Sequence, residues 1–238
     1  MAVVLVETTA MKTLFLIVLL SALSTMIIAQ NSIAVRIAYN NTNATEVAKY
    51  TKTRSLNRFQ IGFFAKHYVH NNWYVKGNIL YNQKGNFYDN MYMIADGGKK
   101  VDIKLNYAEV SIDAGYSIKV TALQNIHIGL GPYLAFGING TEKGWGESLM
   151  GPINIDRKIY FVGGGTKYGI NTEIKRVDVG LNFNAEYQYK NYGLFTNYGL
   201  GLTGRQDQQR SMNRVFSLGL SYRVSLKKRE RGKGCFTF

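Results

Sequence analysis

The stretch that most constrains this chain is 214–226, RVFSLGLSYRVSL, in which apolar residues alternate without exception. Phe216, Leu218, Leu220, Tyr222, Val224 and Leu226 share one side, and Ser217, Gly219, Ser221, Arg223 and Ser225 share the other. Successive strand side chains point to opposite faces, so this is one wall of a sheet. Its polar side is mainly Gly and Ser, too small to make a good solvated surface and suited to a crowded lumen. The stretch therefore reads as the wall of a narrow barrel with its apolar face outward in lipid.

The same rhythm recurs upstream, over 32–39, 58–67, 73–82, 101–118, 126–138, 176–189 and 192–202. With the last strand that makes eight, an even number, and the reading is an all-β, eight-stranded antiparallel up-and-down transmembrane β-barrel. Connections after strands two, four and six are short, whereas 40–56, 84–100, 139–175 and 203–213 are longer polar loops. Short turns on one side and long loops on the other suit periplasmic and external ends. On strand four Val101, Ile103, Leu105 and Tyr107 are odd-numbered and Ala108, Val110, Ile112, Ala114 and Tyr116 even-numbered. Turning both sets outward requires a β-bulge at Tyr107–Ala108. Pro132 removes a ladder donor and predicts a local irregularity in strand five. In this reading no Lys, Arg, Asp or Glu faces outward, where a Lys or Arg at the bilayer midplane costs roughly 2–4 kcal/mol. Tyr68, Trp73, Tyr187, Tyr189 and Tyr192 lie near strand ends, as an interfacial girdle would. The rival is a soluble lipocalin-like barrel, with the same apolar face turned inward around a ligand.

Residues 11–29, MKTLFLIVLLSALSTMIIA, join a Lys to an unbroken apolar run and a small-residue end, the pattern of a secretory signal peptide cleaved between Ala29 and Gln30. A transmembrane anchor helix is the alternative, but Asn31 and Ser32 follow in place of a basic stop. Met11 reads as the initiator, which divides the chain into 1–29 for export, 30–226 for the barrel and 227–238 as a basic tail. The first 29 residues carry one Glu and one Lys, so the net charge of +14 is unchanged by their removal. Such an excess favours anionic partners. Export takes nucleic acid away, and outer-membrane lipid and lipopolysaccharide phosphates become the expected contacts. Cys235 is the sole cysteine and forms no internal disulfide.

Ser217, Gly219, Tyr222 and Val224 fill the four defined positions of a pattern that resembles the C-terminal β-signal of outer-membrane proteins, which the barrel-assembly machinery reads. The segments DIKLNYAEVSIDAGYSI (102–118), IGLGPYLAFGI (128–138) and IKRVDVGLNFNAEYQY with TNYGLGLTG (174–204) are similar to the PorT-like outer-membrane β-barrel family. The resemblance implies an outer-membrane barrel, and from its namesake an accessory role in protein secretion.

The inward charges of this reading are Arg36, Lys66, Lys76, Lys104 and Arg223 against Glu109, Asp113, Asp178 and Glu186. Near balance in an interior just wide enough for side chains predicts a polar core that pairs across the lumen, in place of an ion path. Arg223→Ala should then destabilise more than Arg205→Ala. His127 has no acid beside it on its strand, Ser111 or Asp113 could complete a hydrolase group only by proximity, and His67 with His70 lacks a third metal ligand. Neither catalysis nor a metal or cofactor is expected. Gly199, Gly201 and Gly204 spell a dinucleotide pattern without the helix it needs, and 163–165 is a flexible Gly run. Specific function falls to loop 139–175, where Trp145, Tyr160 and Phe161 could form a sticky patch. The expected protein is a monomer with a structural or surface-interaction role, a secretion accessory or a narrow channel being the alternatives.

Overall fold

The computed structural model describes residues 32–45, 52–93, 96–148, 151–159, 161, 175–204 and 211–224. The export segment, Tyr160, the Gly run at 163–165, Arg205, Leu226 and the basic tail with Cys235 lie outside them. Ten strands follow in order: β1 Ser32–Ala44, β2 Lys52–Arg54, β3 Leu56–His70, β4 Trp73–Met93, β5 Asp96–Lys119, β6 Gln124–Ser148, β7 Gly151–Ile159, β8 Val177–Tyr189, β9 Tyr192–Gly201 and β10 Asn213–Val224. Eight of them, β1, β3, β4, β5, β6, β8, β9 and β10, pair antiparallel in chain order, and β1 pairs with β10 to close the ring. The protein is an eight-stranded transmembrane β-barrel.

Alternation sorts the side chains of this ring. Ile37, Phe63, Ile128, Phe183, Leu194 and Leu220 are exposed on its outside, whereas Arg36, Lys66, Lys76, Glu109, Asp113, Asp178 and Glu186 are buried within. At one end the turns are tight: Asn71 and Lys190 adopt positive φ (44° and 51°) to reverse β3 into β4 and β8 into β9, and the Val120 N–H donates to the Gln124 carbonyl between β5 and β6. At the other end the strands run on. β4, β5 and β6 have 21, 24 and 25 residues, about twice what a tilted crossing of the bilayer requires. β2 pairs with β4 and β7 with β6, so a five-stranded sheet, β2-β4-β5-β6-β7, rises beyond the ring.

This sheet replaces much of what the polar composition reads as loop. β1 continues to Ala44, and 84–93 and 96–100 are the facing ends of β4 and β5. Within 139–175, the stretch to Ile159 is a hairpin of β6 and β7, from Gly140 opposite Ile159 to Ser148 opposite Gly151. β5 shows no change of phase: Val101, Ile103, Leu105 and Tyr107 are buried inside, in line with Glu109, Ser111 and Asp113. The irregularity lies on the neighbouring strand, where Asn106 faces Asn139 and Tyr107 faces Gly137, leaving Ile138 as the extra residue. Inward positions on β6 therefore switch from odd numbers, up to Gly137, to even ones, from Gly140. Near Pro132 the β5–β6 ladder skips Ile112 and Asp113 without losing register, as a missing N–H would cause.

Candidate functional site

The lumen is filled in tiers. Nearest the tight turns, Glu186 forms an ion pair with Arg223 (2.7 Å), accepts from Ser221 (2.8 Å) and faces Lys66 at 3.5 Å. Lys66 also lies over the Tyr74 ring, 4.6 Å from its centroid. In the middle Lys76 sits 3.2 Å from Asp113 and donates to Asn184 (2.8 Å), while Asn78 and Asn184 both donate to Asp113. Above them Lys84 bridges Glu109 and Asp178, each at 2.9 Å. Asp178 takes further donors from Tyr133, Thr203 and Asn213, and Glu109 from Asn82. A carboxylate removed from water needs such a complement of partners.

Arg36 stands apart from the three clusters. It donates to Asn78 (3.2 Å) and lays its guanidinium 3.9 Å from the centroid of Phe195, a cation–π contact, and makes no ion pair among the described residues. Lys104 is not in the lumen. Because β5 keeps its phase, Lys104 has the parity of Asp102 and faces outward on the raised sheet. The inward cation that the sequence reading leaves out is Lys84, assigned there to a loop. Its signal is the unbroken even-numbered series Tyr74, Lys76, Asn78, Leu80, Asn82, Lys84, Asn86 and Tyr88, all buried.

The polar tiers are capped on the raised side by an apolar layer: Tyr88, Val101, Ile103, Leu105, Tyr107, Tyr133, Ala135, Ile159 and Phe161. Phe161 is only 3% exposed, with its ring 5.5 Å from that of Tyr107 and its carbonyl accepting from Arg176. A Cβ added to Gly137 would come within 2.6 Å of the Phe161 ring. Phe161 is thus part of the barrel filling, while Trp145, 60% exposed, stands on the outer face beside Phe87 and Lys100. The two do not form one patch. The apolar parity that reads as lipid contact is, at this height, the inside of a sheet surrounded by water.

Hydrolytic chemistry finds no constellation in these positions. His127 meets Gln188 (2.8 Å), Arg223 (3.4 Å) and the Tyr74 ring, whereas Ser111 accepts from Asn78 and Asp113 belongs to Lys76. Among the described residues no three His, Cys, Asp or Glu side chains gather as metal ligands. Gly199 and Gly201 line the lumen on β9, where a Cβ added to Gly201 would stand 3.3 Å from the Asp178 carboxylate.

The lowest tier gives a first expected outcome. Arg223→Ala leaves Glu186 with Lys66 and Ser221, and the barrel should lose about 3 kcal/mol of stability. Arg54→Ala, at an ion pair with Asp89 whose arginine is 70% exposed, should change it by less than about 1 kcal/mol. Urea unfolding in phospholipid vesicles, followed by Trp fluorescence, checks the difference, and equal midpoints would contradict the tier.

Comparison with known proteins gives a family model described as an outer membrane protein beta-barrel domain, matched by residues 28–207. Similar solved structures include the attachment invasion locus protein Ail of Yersinia pestis (16% identity, 82% of this chain and 99% of that one, TM-score 0.39). Neisserial surface protein A is similar at 14% identity, over 82% and 97%, with TM-score 0.40. OprG from Pseudomonas aeruginosa is similar at 11% identity, over 83% and 98%, with TM-score 0.44. No curated protein matches the chain.

Proposed function

Because the chain belongs to the outer membrane protein beta-barrel domain family, and so to the cell outer membrane, we propose that it is a non-conducting barrel acting at the cell surface through its raised sheet. The observation that carries this reading is the filled lumen. Three ion clusters and an apolar layer occupy the interior of the ring, and a narrow barrel filled by side chains has no room for a water column. The sheet β2-β4-β5-β6-β7 is what this chain adds to the ring, and in one-fold families specific function resides in such additions. Its long strands stand opposite the tight turns, which suits the external side.

Reconstituted in planar bilayers, the protein should give no single-channel steps, while staying folded by its heat-modifiable gel shift. Well-resolved steps that vanish in a Gly129→Leu variant would overturn the reading in favour of a channel, since a side chain there meets Tyr74 and Asn184 in the lumen. A photo-crosslinker at position 145 on intact cells should capture a partner that one at Lys119, by the tight turns, does not. The resemblance of 102–118, 128–138 and 174–204 to PorT-like barrels supports an accessory role in secretion as a second reading, and loss of secreted cargo on gene deletion would favour it.

A further inference from the structure

Among the described residues the lumen buries five cations, Arg36, Lys66, Lys76, Lys84 and Arg223, against four carboxylates, Glu109, Asp113, Asp178 and Glu186. A proton on His127 would widen the difference. Every carboxylate already faces its own cation: Glu186 has Lys66 and Arg223, Asp113 has Lys76, and Glu109 and Asp178 share Lys84. The charge left over is that of Arg36. Taken out of water, such a charge needs an opposite one beside it.

The covalent shape of the side chain shows where that opposite charge fits. Nη1 donates to Asn78, and the guanidinium lies against the Phe195 ring. Nε and Nη2, both buried, have no partner among the described residues. Their N–H groups leave one edge of the planar guanidinium side by side, the fork with which arginine grips anions. Further donors stand close by. On the inward rung next to Arg36, Gln60 of β3 lies opposite Ala38 of β1, Ala38 opposite Gly219 of β10, and Gly219 opposite Phe195 of β9. Gln60 is thus diagonal to Arg36 across the strand pair, a separation of about 7–8 Å that two long side chains can close around one ion. Its Nε2 is buried and unpartnered, as is the hydroxyl of Ser217, the next inward residue of β10 beyond Gly219. Ala38 and Gly219 carry a single side-chain carbon between them, so the wall takes up little of the lumen at that rung. A water between the fork and the unpartnered Oδ1 of Asp113 would satisfy hydrogen bonds and leave the excess charge as it is.

We propose that the Nε–Nη2 edge of Arg36, with Gln60 Nε2 as a third donor, holds one chloride ion inside the barrel. One negative charge balances five cations against four carboxylates, and a small sphere suits a lumen otherwise occupied by side chains. The ion is enclosed as the ring closes and is released when it opens, so it adds no path for conduction.

The test refolds the full barrel into phosphatidylcholine vesicles and unfolds it with urea at increasing chloride, with gluconate holding the ionic strength constant. Above the Kd of the ion, each tenfold rise in chloride should raise the folding equilibrium constant about tenfold. Arg36→Met removes fork and charge together; an apolar side chain of similar size in place of a buried charge is compatible with folding, and the stability of this variant should not respond to chloride. Gln60→Leu should weaken the apparent chloride affinity about tenfold, as loss of a hydrogen bond to a charged group does. The gel shift certifies that each variant is folded. Crystals of wild type refolded in bromide should show one anomalous peak within hydrogen-bond distance of Arg36 Nε and Nη2, a readout that stands even if Arg36→Met does not fold. Wild-type stability indifferent to chloride, an equal chloride response in folded Arg36→Met, or density on the fork without anomalous signal, as a water would give, would each overturn the proposal.

Discussion

Lys84→Met is expected to be the most damaging single substitution in the lumen. Lys84 holds Glu109 and Asp178 together at 2.9 Å each, with its ammonium 4.1 Å from the centroid of the Tyr133 ring. Methionine keeps most of the volume and removes the charge, leaving two buried carboxylates facing each other. Stripping one partner from a buried ionic group costs about 3–5 kcal/mol, and here two acids lose the same partner. The matching change outside the barrel, Lys104→Met, should shift the urea midpoint in vesicles little, within about 0.5 kcal/mol. Neutralising the acids in the same chain, as K84M/E109Q/D178N, should recover much of the loss, because the cost lies in uncompensated charge. Similar midpoints for the Lys84 and Lys104 variants would mean that the phase of β5 or β4 is wrong.

Phe161→Ala should come next, at about 3–5 kcal/mol, the usual cost of deleting a buried aromatic ring. The ring lies against Tyr107 and in the space over Gly137, so its removal opens a void in the apolar layer above the Lys84 cluster. Trp145→Ala, on the exposed outer face, should cost less than about 1 kcal/mol. The pair separates a plug residue from a surface residue within one hairpin region. A Phe161 variant as stable as the Trp145 variant would place Phe161 outside the barrel.

What sequence periodicity reports is which residues share a face, and it does this well. β10, β8 and β9 alternate cleanly because they stay within the bilayer, where apolar means outside. β5 shows the limit. Its residues 101–107 alternate as regularly as any, yet their apolar set points inward, because that part of the strand has water outside and side chains inside. Equating apolar with lipid-facing there demands a bulge at Tyr107–Ala108, moves Lys104 into the lumen and leaves Lys84 in a loop. The even-numbered burial from Tyr74 to Tyr88 is visible in the sequence, but Asn86 and Lys84 look like loop residues until their partners are known. Ile138, the true extra residue, carries no local mark. Long-range register decides it, since Asn106 and Tyr107 pick Asn139 and Gly137 from the neighbouring strand. The ion partners, too, come from strands distant in the chain: Lys66 and Glu186 are brought together only by closure of the ring.

That closure sets a clock. The seam joins β1 to β10 from Ile33 opposite Val224 to Ala44 opposite Asn213, so it links the two ends of the described chain. Every other strand pairing of the ring joins strands that are consecutive in the chain or separated only by β2 or β7, but this one waits until the other strands are in place. Contacts of such long separation are the slow ones in folding. At the seam a Cβ on Gly219 would stand 2.2 Å from the Ile37 carbonyl, so the last strand arrives against its partner with no room for a side chain there. The barrel behaves as a clasp: slow to fasten, and once fastened without an open edge from which unzipping could start.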